Sequence, residues 1–149
     1  MELEETDSQK VIGSFNNYTF IVEKYQRGYK WEKQQVEDLL NDIDEFSEEG
    51  NYCLQPIVVK MREGENMYEL IDGQQRITTI YLILSYLNIC KDQIENFGFN
   101  IEYNTRKESK DFLTQCIANK EYPLTEYNKW EDFIKEHSEF DNVDNYHFF

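Results

Sequence analysis

The sequence predicts an α+β fold in which a small mixed sheet packs against helices. Short segments rich in β-branched and aromatic residues alternate along the chain with longer segments whose apolar residues recur at helical spacing. The 149 residues are enough to bury one core, and the 21 tyrosines and phenylalanines exclude a disordered chain. We therefore expect one domain-sized core with one main functional site.

The first half of the chain supplies the predicted strands. The segment Tyr18 to Val22 has the composition of a short strand. Segments 56–61 and 67–71 predict two more strands, joined by a hairpin loop that contains Gly64. Between the first and second strands, Val36 to Phe46 predicts an amphipathic helix with an acidic polar face.

Helices dominate the prediction for the second half. Residues Thr78 to Lys91 are apolar on nearly every side and too many for a strand, which indicates a helix buried on most faces. After a loop around Gly98, the pattern predicts one helix around Phe112 and another around Trp130. Because the sequence ends on aromatic residues, we expect the chain to be the front part of a longer protein.

Composition and charge exclude several functional classes. The net charge of -15 argues against a surface that binds nucleic acid over its whole extent. The cysteines Cys53, Cys90 and Cys116 are odd in number and lack a C-x-x-C pair, so neither a disulfide framework nor a zinc site is indicated. No basic and apolar leader is present, and the longest apolar run, Ile80 to Leu84, is far too short to span a bilayer. We expect a soluble, cytoplasmic protein without a membrane partner.

A group of polar residues, Asp72 to Arg76, lies between two strongly apolar runs. If a strand ends at Ile71 and a helix begins at Thr78, these residues form a strand-to-helix turn at the carboxyl end of a strand. Ligands bind at such turns in open α/β sheets. The free backbone N–H groups and partial positive charge of the first helical turn favour a phosphate there.

The residues of this turn have side chains suited to a phosphate ligand. Gly73 permits unusual backbone torsions and a close approach to a ligand. Arg76 offers a planar fork of donors that matches phosphate oxygens. Gln74 and Gln75 can both donate and accept, which suits phosphate binding or, for Gln75, the orientation of an attacking water.

Catalysis and metal binding are assigned to the acid of the turn. Asp72 is its one carboxylate and therefore the candidate for holding Mg²⁺ or accepting a proton from water.

Thr78 or Thr79 could cap the helix or touch a phosphate through its hydroxyl. The alternative is an ordinary turn in which Arg76 serves as a structural ion-pair partner. Neither a P-loop nor a G-x-G-x-x-G dinucleotide fingerprint occurs.

A second polar stretch, Lys24 to Trp31, is locally basic in an acidic chain. Four basic and two acidic residues lie between Glu23 and Lys33, whereas the next 18 positions hold seven acids and no base. Gln26 and Arg27 repeat the side-chain chemistry of the turn, and Tyr25, Tyr29 and Trp31 could stack on a base. The alternative for each aromatic residue here is a place in the core.

A third stretch, Tyr103 to Leu113, carries mixed charges. A solvated helix start that includes Arg106 and Ser109 explains it best, although a functional role stays open.

The three stretches, in this order, resemble the DGQQR family, which includes the N-terminal domain of the GmrSD type IV restriction enzymes. The resemblance extends from about Tyr18 to Leu113 through "YQRGYKW", "VEDLLNDIDEF", "YCLQPIVV" and "YELIDGQQRITTIYLIL". Glu23 and Gln55 depart from it, because the family commonly has a proline and a glycine at those positions.

The resemblance implies a ParB/sulfiredoxin-like core over residues 1–97, with nucleotide phosphates bound at the strand-to-helix turn, followed by a helical extension over 98–149. The run Gly73 to Arg76 is similar to the G-E-R-R turn of the ParB nucleotide site. Since Gln74 stands where that turn has a metal-binding glutamate, the metal role would fall to Asp72.

The function that the resemblance implies is a nucleotide-binding regulatory domain of a modification-dependent DNA restriction or phage-defence protein. Its cofactors would be a nucleoside triphosphate of unknown identity and Mg²⁺, with hydrolysis left open. DNA would be contacted by the rest of the full-length protein or by a nuclease partner, because His137 and His147 make no H-N-H constellation. The alternative is a ParB-like DNA-binding or nuclease module that acts directly on DNA. The oligomeric state is left open.

Overall fold

The computed structural model describes residues 12–46, 52–91, 98–118 and 126–140. In these ranges it contains a four-stranded mixed sheet with helices, which confirms the α+β class. The strands are β1 (Thr19–Val22), β2 (Val58–Met61), β3 (Met67–Asp72) and β4 (Asn100–Tyr103). The helices are α1 (Lys33–Glu45), α2 (Gln74–Lys91), α3 (Lys107–Phe112), which continues as a π-helix (Leu113–Ala118), and α4 (Trp130–Glu136).

The strand order across the sheet is β2, β3, β1, β4. β1 lies in the middle and runs parallel to both β3 and β4. β2 and β3 form the antiparallel hairpin that Gly64 predicts, and Gly64 adopts a φ of 122° in its loop. The predicted strands around β1, β2 and β3 are therefore confirmed.

The strand β4 was not predicted. It has only four residues, and just two of them, Ile101 and Tyr103, are buried. A two-residue apolar signal after Gly98 is too short to separate a strand from a loop. Because β4 pairs with β1, the chain after residue 98 contributes to the same sheet as the chain before it.

One face of the sheet forms the core with α2. Side chains alternate between the two faces of a strand, so Phe20, Leu70 and Tyr103 point to the face that α2 covers with Ile77 and Ile80. Each such side chain contributes about 1.5–3 kcal/mol when it is fully buried. This packing fixes where α2 begins relative to the ends of the strands.

The last described helices pack through aromatic residues. The ring of Phe112 meets those of Trp130, Phe133 and Phe140 edge-on, with centroid distances of 5.6–6.1 Å. The predicted helices around Phe112 and Trp130 are thus confirmed. No helix within the described ranges combines the length and apolar character needed to cross a bilayer. The terminal residues 141–149, which include His147, lie outside the described residues.

Candidate functional site

The three polar stretches meet at one edge of the sheet. Because β1, β3 and β4 are parallel, their carboxyl ends lie side by side, and the segments 23–27, 72–76 and 104–107 leave from these ends. Neighbouring strands are about 4.8 Å apart, so the three strand ends span roughly 10 Å. This is the edge at which open α/β sheets bind ligands.

Gly73 alone connects β3 to α2. Its φ of 89° is a conformation that residues with a side chain rarely adopt, and a Cβ there would lie 2.5 Å from Ile57 Cγ2. The Gly73 carbonyl accepts the first helical hydrogen bond, from Ile77 N at 3.1 Å. The helix therefore begins at Gln74, four residues before the predicted start at Thr78, and most of the polar turn is its first turn.

The first turn of α2 presents unsatisfied donors. As the residue before the helix, Gly73 has no side chain to cap the backbone N–H groups of Gln74, Gln75 and Arg76. No acceptor for these groups is found among the described residues. Together with the partial positive charge of an 18-residue helix, three aligned N–H groups can bind an anion.

Gln75 ties α2 to the loop after β1. Its side chain is 8% exposed; Nε2 donates to Gly28 O at 3.1 Å, and Oε1 accepts from Lys30 N at 2.8 Å. Both ends of the amide are thus bound to backbone. The structure gives Gln75 a positioning contact that fixes the loop next to Arg27.

Arg76 and Asp72 differ in whether their side chains already form hydrogen bonds within the described part of the protein. The half-buried Arg76 donates through Nη1 to Gln55 O at 2.5 Å, which leaves other donors of its guanidinium fork available. Asp72 is exposed and Gln74 is half-buried. Neither side chain has a hydrogen-bond or ion-pair partner among the described residues. The turn therefore presents one carboxylate, one amide and part of one guanidinium.

Thr78 and Thr79 lie beneath the turn, inside the core. Thr78 is fully buried; its Oγ1 donates to Gln74 O at 2.6 Å and shares a hydrogen bond of 2.7 Å with the Tyr103 hydroxyl. Thr79 makes the equivalent pair with Gln75 O at 2.8 Å and with the Tyr29 hydroxyl at 2.7 Å. Burial raises the pKa of the Tyr103 hydroxyl, so it stays protonated in this contact. Through these hydrogen bonds, Thr78 links α2 to β4 and Thr79 links it to the loop after β1.

The stretch after β1 reaches the edge from the other side of the sheet. The Tyr25 hydroxyl donates to Glu69, whose side chain lies on the face opposite Leu70 and α2. This hydrogen bond raises the pKa of the Tyr25 hydroxyl, while the residue stays 70% exposed. Gln26 Nε2 donates to Leu70 O at the end of β3. Arg27 is exposed and has no partner among the described residues.

Sequence reasoning did not find the residues that hold Tyr25 in place. Glu69 is 4% exposed, and its carboxylate lies 2.7 Å from Arg62 Nη2, which also contacts Glu23 at 3.0 Å. A buried carboxylate needs such a partner. A charged residue inside a predicted strand was the signal that could have identified this ion pair.

The side chains of the described residues indicate what kind of metal ion the turn could hold. Within them, no group of three or more His, Cys, Asp or Glu side chains could hold a metal. Mg²⁺ in nucleotide complexes usually keeps several waters and is bound by one or two carboxylates plus phosphates. The exposed Asp72 therefore fits an ion carried by a nucleotide and does not fit a resident ion.

The fold and this edge define an α+β domain with a polar strand-to-helix turn at the carboxyl ends of parallel strands. Residues 9–148 match the N-terminal domain of GmrSD restriction endonuclease, and the chain belongs to that family. The resemblance predicted from the DGQQR string is thereby confirmed, and membership implies a role in type IV restriction or phage defence. Comparisons with curated proteins and with solved structures give no match. The likeness to ParB stays a prediction.

Proposed function

We propose that this chain is a nucleotide-binding regulatory domain of a DNA-restriction or phage-defence protein. The observation that carries the proposal is the start of α2, where the N–H groups of Gln74, Gln75 and Arg76 have no acceptor among the described residues. Phosphate oxygens of a nucleoside triphosphate would accept from these groups. Gly73 supports the proposal because it has no side chain that could cap these N–H groups within the protein.

Charge partners for the phosphates come from two segments. Arg27 has no partner among the described residues, and Gln75 holds the loop that follows it. Arg76 keeps free donors beside its bond to Gln55. Two guanidinium groups beside a helix N-terminus suit a ligand with several negative charges. Tyr25, whose exposed ring is fixed through its hydroxyl, would stack on the base.

Mg²⁺ would come with the nucleotide and be held by Asp72. The ion supplies neutralisation of phosphate charge when it is bound. For hydrolysis, Asp72 is also the exposed carboxylate that could accept a proton from water. Gln75 would contribute by positioning, since both ends of its amide are bound to backbone.

We place the contacts to DNA in the rest of the full-length protein or in a nuclease partner. The chain carries a net charge of -15, which repels a duplex. A single carboxylate at the turn also gives weak support to a two-metal nuclease site. Both observations favour regulation by a nucleotide over direct action on DNA.

The test is calorimetric titration of the protein with ribonucleoside triphosphates in Mg²⁺ and in EDTA. We expect Arg76→Ala to lose at least tenfold in affinity, and Asp72→Ala to weaken binding in Mg²⁺ but not in EDTA. Lys129→Ala, an exposed cation at the start of α4, is the matched control and should bind as the wild type does. Equal affinity of wild type and Arg76→Ala would refute the phosphate assignment.

A further inference from the structure

The second half of α1 leaves apolar side chains uncovered. Leu39 is the buried residue of the helix, with 6% of its surface exposed, and it belongs to the core. Leu40, Ile43 and Phe46 are 43%, 44% and 39% exposed. Because residues three positions apart share one face of a helix, these three side chains form an apolar stripe along the second half of α1 and its end. We refer to it as the α1 stripe.

Acidic side chains border the α1 stripe. With 3.6 residues per turn, the exposed Glu37 and Asp44 lie beside Leu40 on one border. Asp42 lies on the other border, where its carboxylate accepts a hydrogen bond of 3.4 Å from the Tyr52 hydroxyl. Five of the 13 residues of α1 are acidic and one is basic, against 30 acids in the 149 residues of the chain. Negative charge is therefore concentrated around the exposed apolar side chains.

The helix is held in place before and after the stripe. Ahead of α1, Gln75 of α2 binds the backbone of Gly28 and Lys30. Just after α1, the Phe46 ring meets the Tyr52 ring edge-on, with the two centroids 5.7 Å apart. A surface that is already positioned by the fold needs little further ordering when a partner binds, which favours association.

We propose that the α1 stripe is a docking surface for a basic amphipathic helix. The apolar face of that helix would cover the stripe, and lysines or arginines beside this face would pair with the bordering acids. Exposed apolar stripes of this kind mark interaction sites, and packing against a second helix buries them. The stripe and its bordering acids include no residue of the proposed nucleotide site, so nucleotide binding is not required for docking.

The charge of α1 decides which partner fits the stripe. Acids on both borders repel a nucleic acid, an anionic membrane surface and an acidic protein segment. A second copy of α1 would bring the same acids against them and is disfavoured for the same reason. A segment with apolar residues between lysines or arginines satisfies both the stripe and its borders.

The test uses a synthetic helical peptide of leucine and lysine whose leucines share one face. A second peptide has glutamate in place of lysine. In calorimetric titrations we expect the wild type to bind the lysine peptide and not the glutamate peptide. Leu40→Ser combined with Ile43→Ser should weaken binding about tenfold or more, because apolar contacts are lost. Glu37→Gln combined with Asp44→Asn should weaken it about fivefold and make it less dependent on salt concentration.

Glu65→Gln combined with Glu131→Gln is the matched control, because it removes the same charge from two exposed positions outside α1. This variant should bind the lysine peptide as the wild type does. An equal loss in this control and in the α1 charge variant would overturn the proposal, since it would indicate attraction to the net charge alone. Unchanged affinity of the serine variant, equal binding of the two peptides, or no binding of the lysine peptide would overturn it as well.

Stability and oligomeric state complete the test. The melting temperatures of both α1 variants should stay within a few degrees of the wild type, because the substituted side chains are exposed. If the serine variant unfolds, the α1 charge variant and its control decide the outcome. Sedimentation of the wild type and the serine variant should be equal over a range of concentrations. An oligomer that the serine variant dissociates would assign the stripe to a second copy of the chain and overturn the proposal.

Discussion

At the scale of single residues, Gly73 is the position at which backbone and packing both forbid a side chain. Its φ of 89° favours glycine, and Ile57 occupies the space that a Cβ would need. A glycine just after a predicted strand indicates that a ligand comes close to the backbone there. The structure adds a second requirement, which is the close packing of residue 57 against the turn.

We predict that Gly73→Ala lowers the free energy of unfolding by about 1–3 kcal/mol, because alanine is strained at this φ. Gly98→Ala is the control: no atom lies within 4 Å of the Cβ it would add. Urea denaturation of both variants measures the difference. Equal stability of the two alanine variants would contradict the role of Gly73.

Arg27 tests the electrostatic part of the site by itself. Since it is exposed and has no partner among the described residues, Arg27→Ala should leave the free energy of unfolding within about 0.5 kcal/mol of wild type. Its loss should still weaken triphosphate binding about tenfold, which corresponds to about 1.4 kcal/mol. Parallel denaturation and calorimetry separate the two effects, and unchanged affinity would exclude Arg27 from the site.

At the scale of elements, the segment 52–57 links α1 to the polar turn. The rings of Tyr52 and Phe46 meet edge-on just after the end of α1, with their centroids 5.7 Å apart. Further along the segment, Gln55 accepts from Arg76, and Ile57 packs on Gly73. A short segment without regular secondary structure thus determines how the first turn of α2 is held.

This link can be measured with a double-mutant cycle of Ile57→Ala and Gly73→Ala. Ile57→Ala should destabilise the wild type by about 1–2 kcal/mol. This is less than the cost of truncating a fully buried isoleucine, because Ile57 is only half-buried. In the Gly73→Ala background its cost should be smaller by at least about 0.5 kcal/mol, since the clash is relieved. Strict additivity of the two changes would show that residues 57 and 73 do not interact.

At the scale of the whole molecule, two buried tyrosines connect α2 to other parts of the chain, Tyr103 to β4 and Tyr29 to the loop after β1. Burial is the main cause of the raised pKa of Tyr29, Tyr81 and Tyr103, and two of them share hydrogen bonds with threonines of α2. Each hydroxyl therefore keeps its proton to a higher pH in the folded protein than a solvent-exposed tyrosine does.

The sign of the resulting pH dependence follows from linkage. Above about pH 10 the unfolded chain loses these protons while the folded chain retains them, so stability is present at lower pH and falls as pH rises. Each tyrosine should contribute a slope of about 1.4 kcal/mol per pH unit between its two pKa values. Urea denaturation from pH 9 to 11 measures this slope. The difference between the slopes of the wild type and Tyr103→Phe gives the contribution of Tyr103. A stability that is constant over this range would contradict the prediction.

The sequence by itself determined the local features. Composition and periodicity were sufficient for β1, the hairpin and the helices, because those patterns are short-range, and the DGQQR string was sufficient for the family. The strand β4 was missed because four residues carry too little of the pattern.

Only the tertiary structure decided which polar residues face the edge. Gln75, Thr78 and Thr79 have the same chemistry as ligand-binding residues, yet their side chains are buried and bonded to the protein itself, whereas Asp72 and Arg27 are exposed. The parallel pairing of β1 with β3 and β4 also brought together three stretches that are separated by up to about 80 residues in the sequence. Burial and strand pairing depend on distant parts of the chain, so no local pattern contains them.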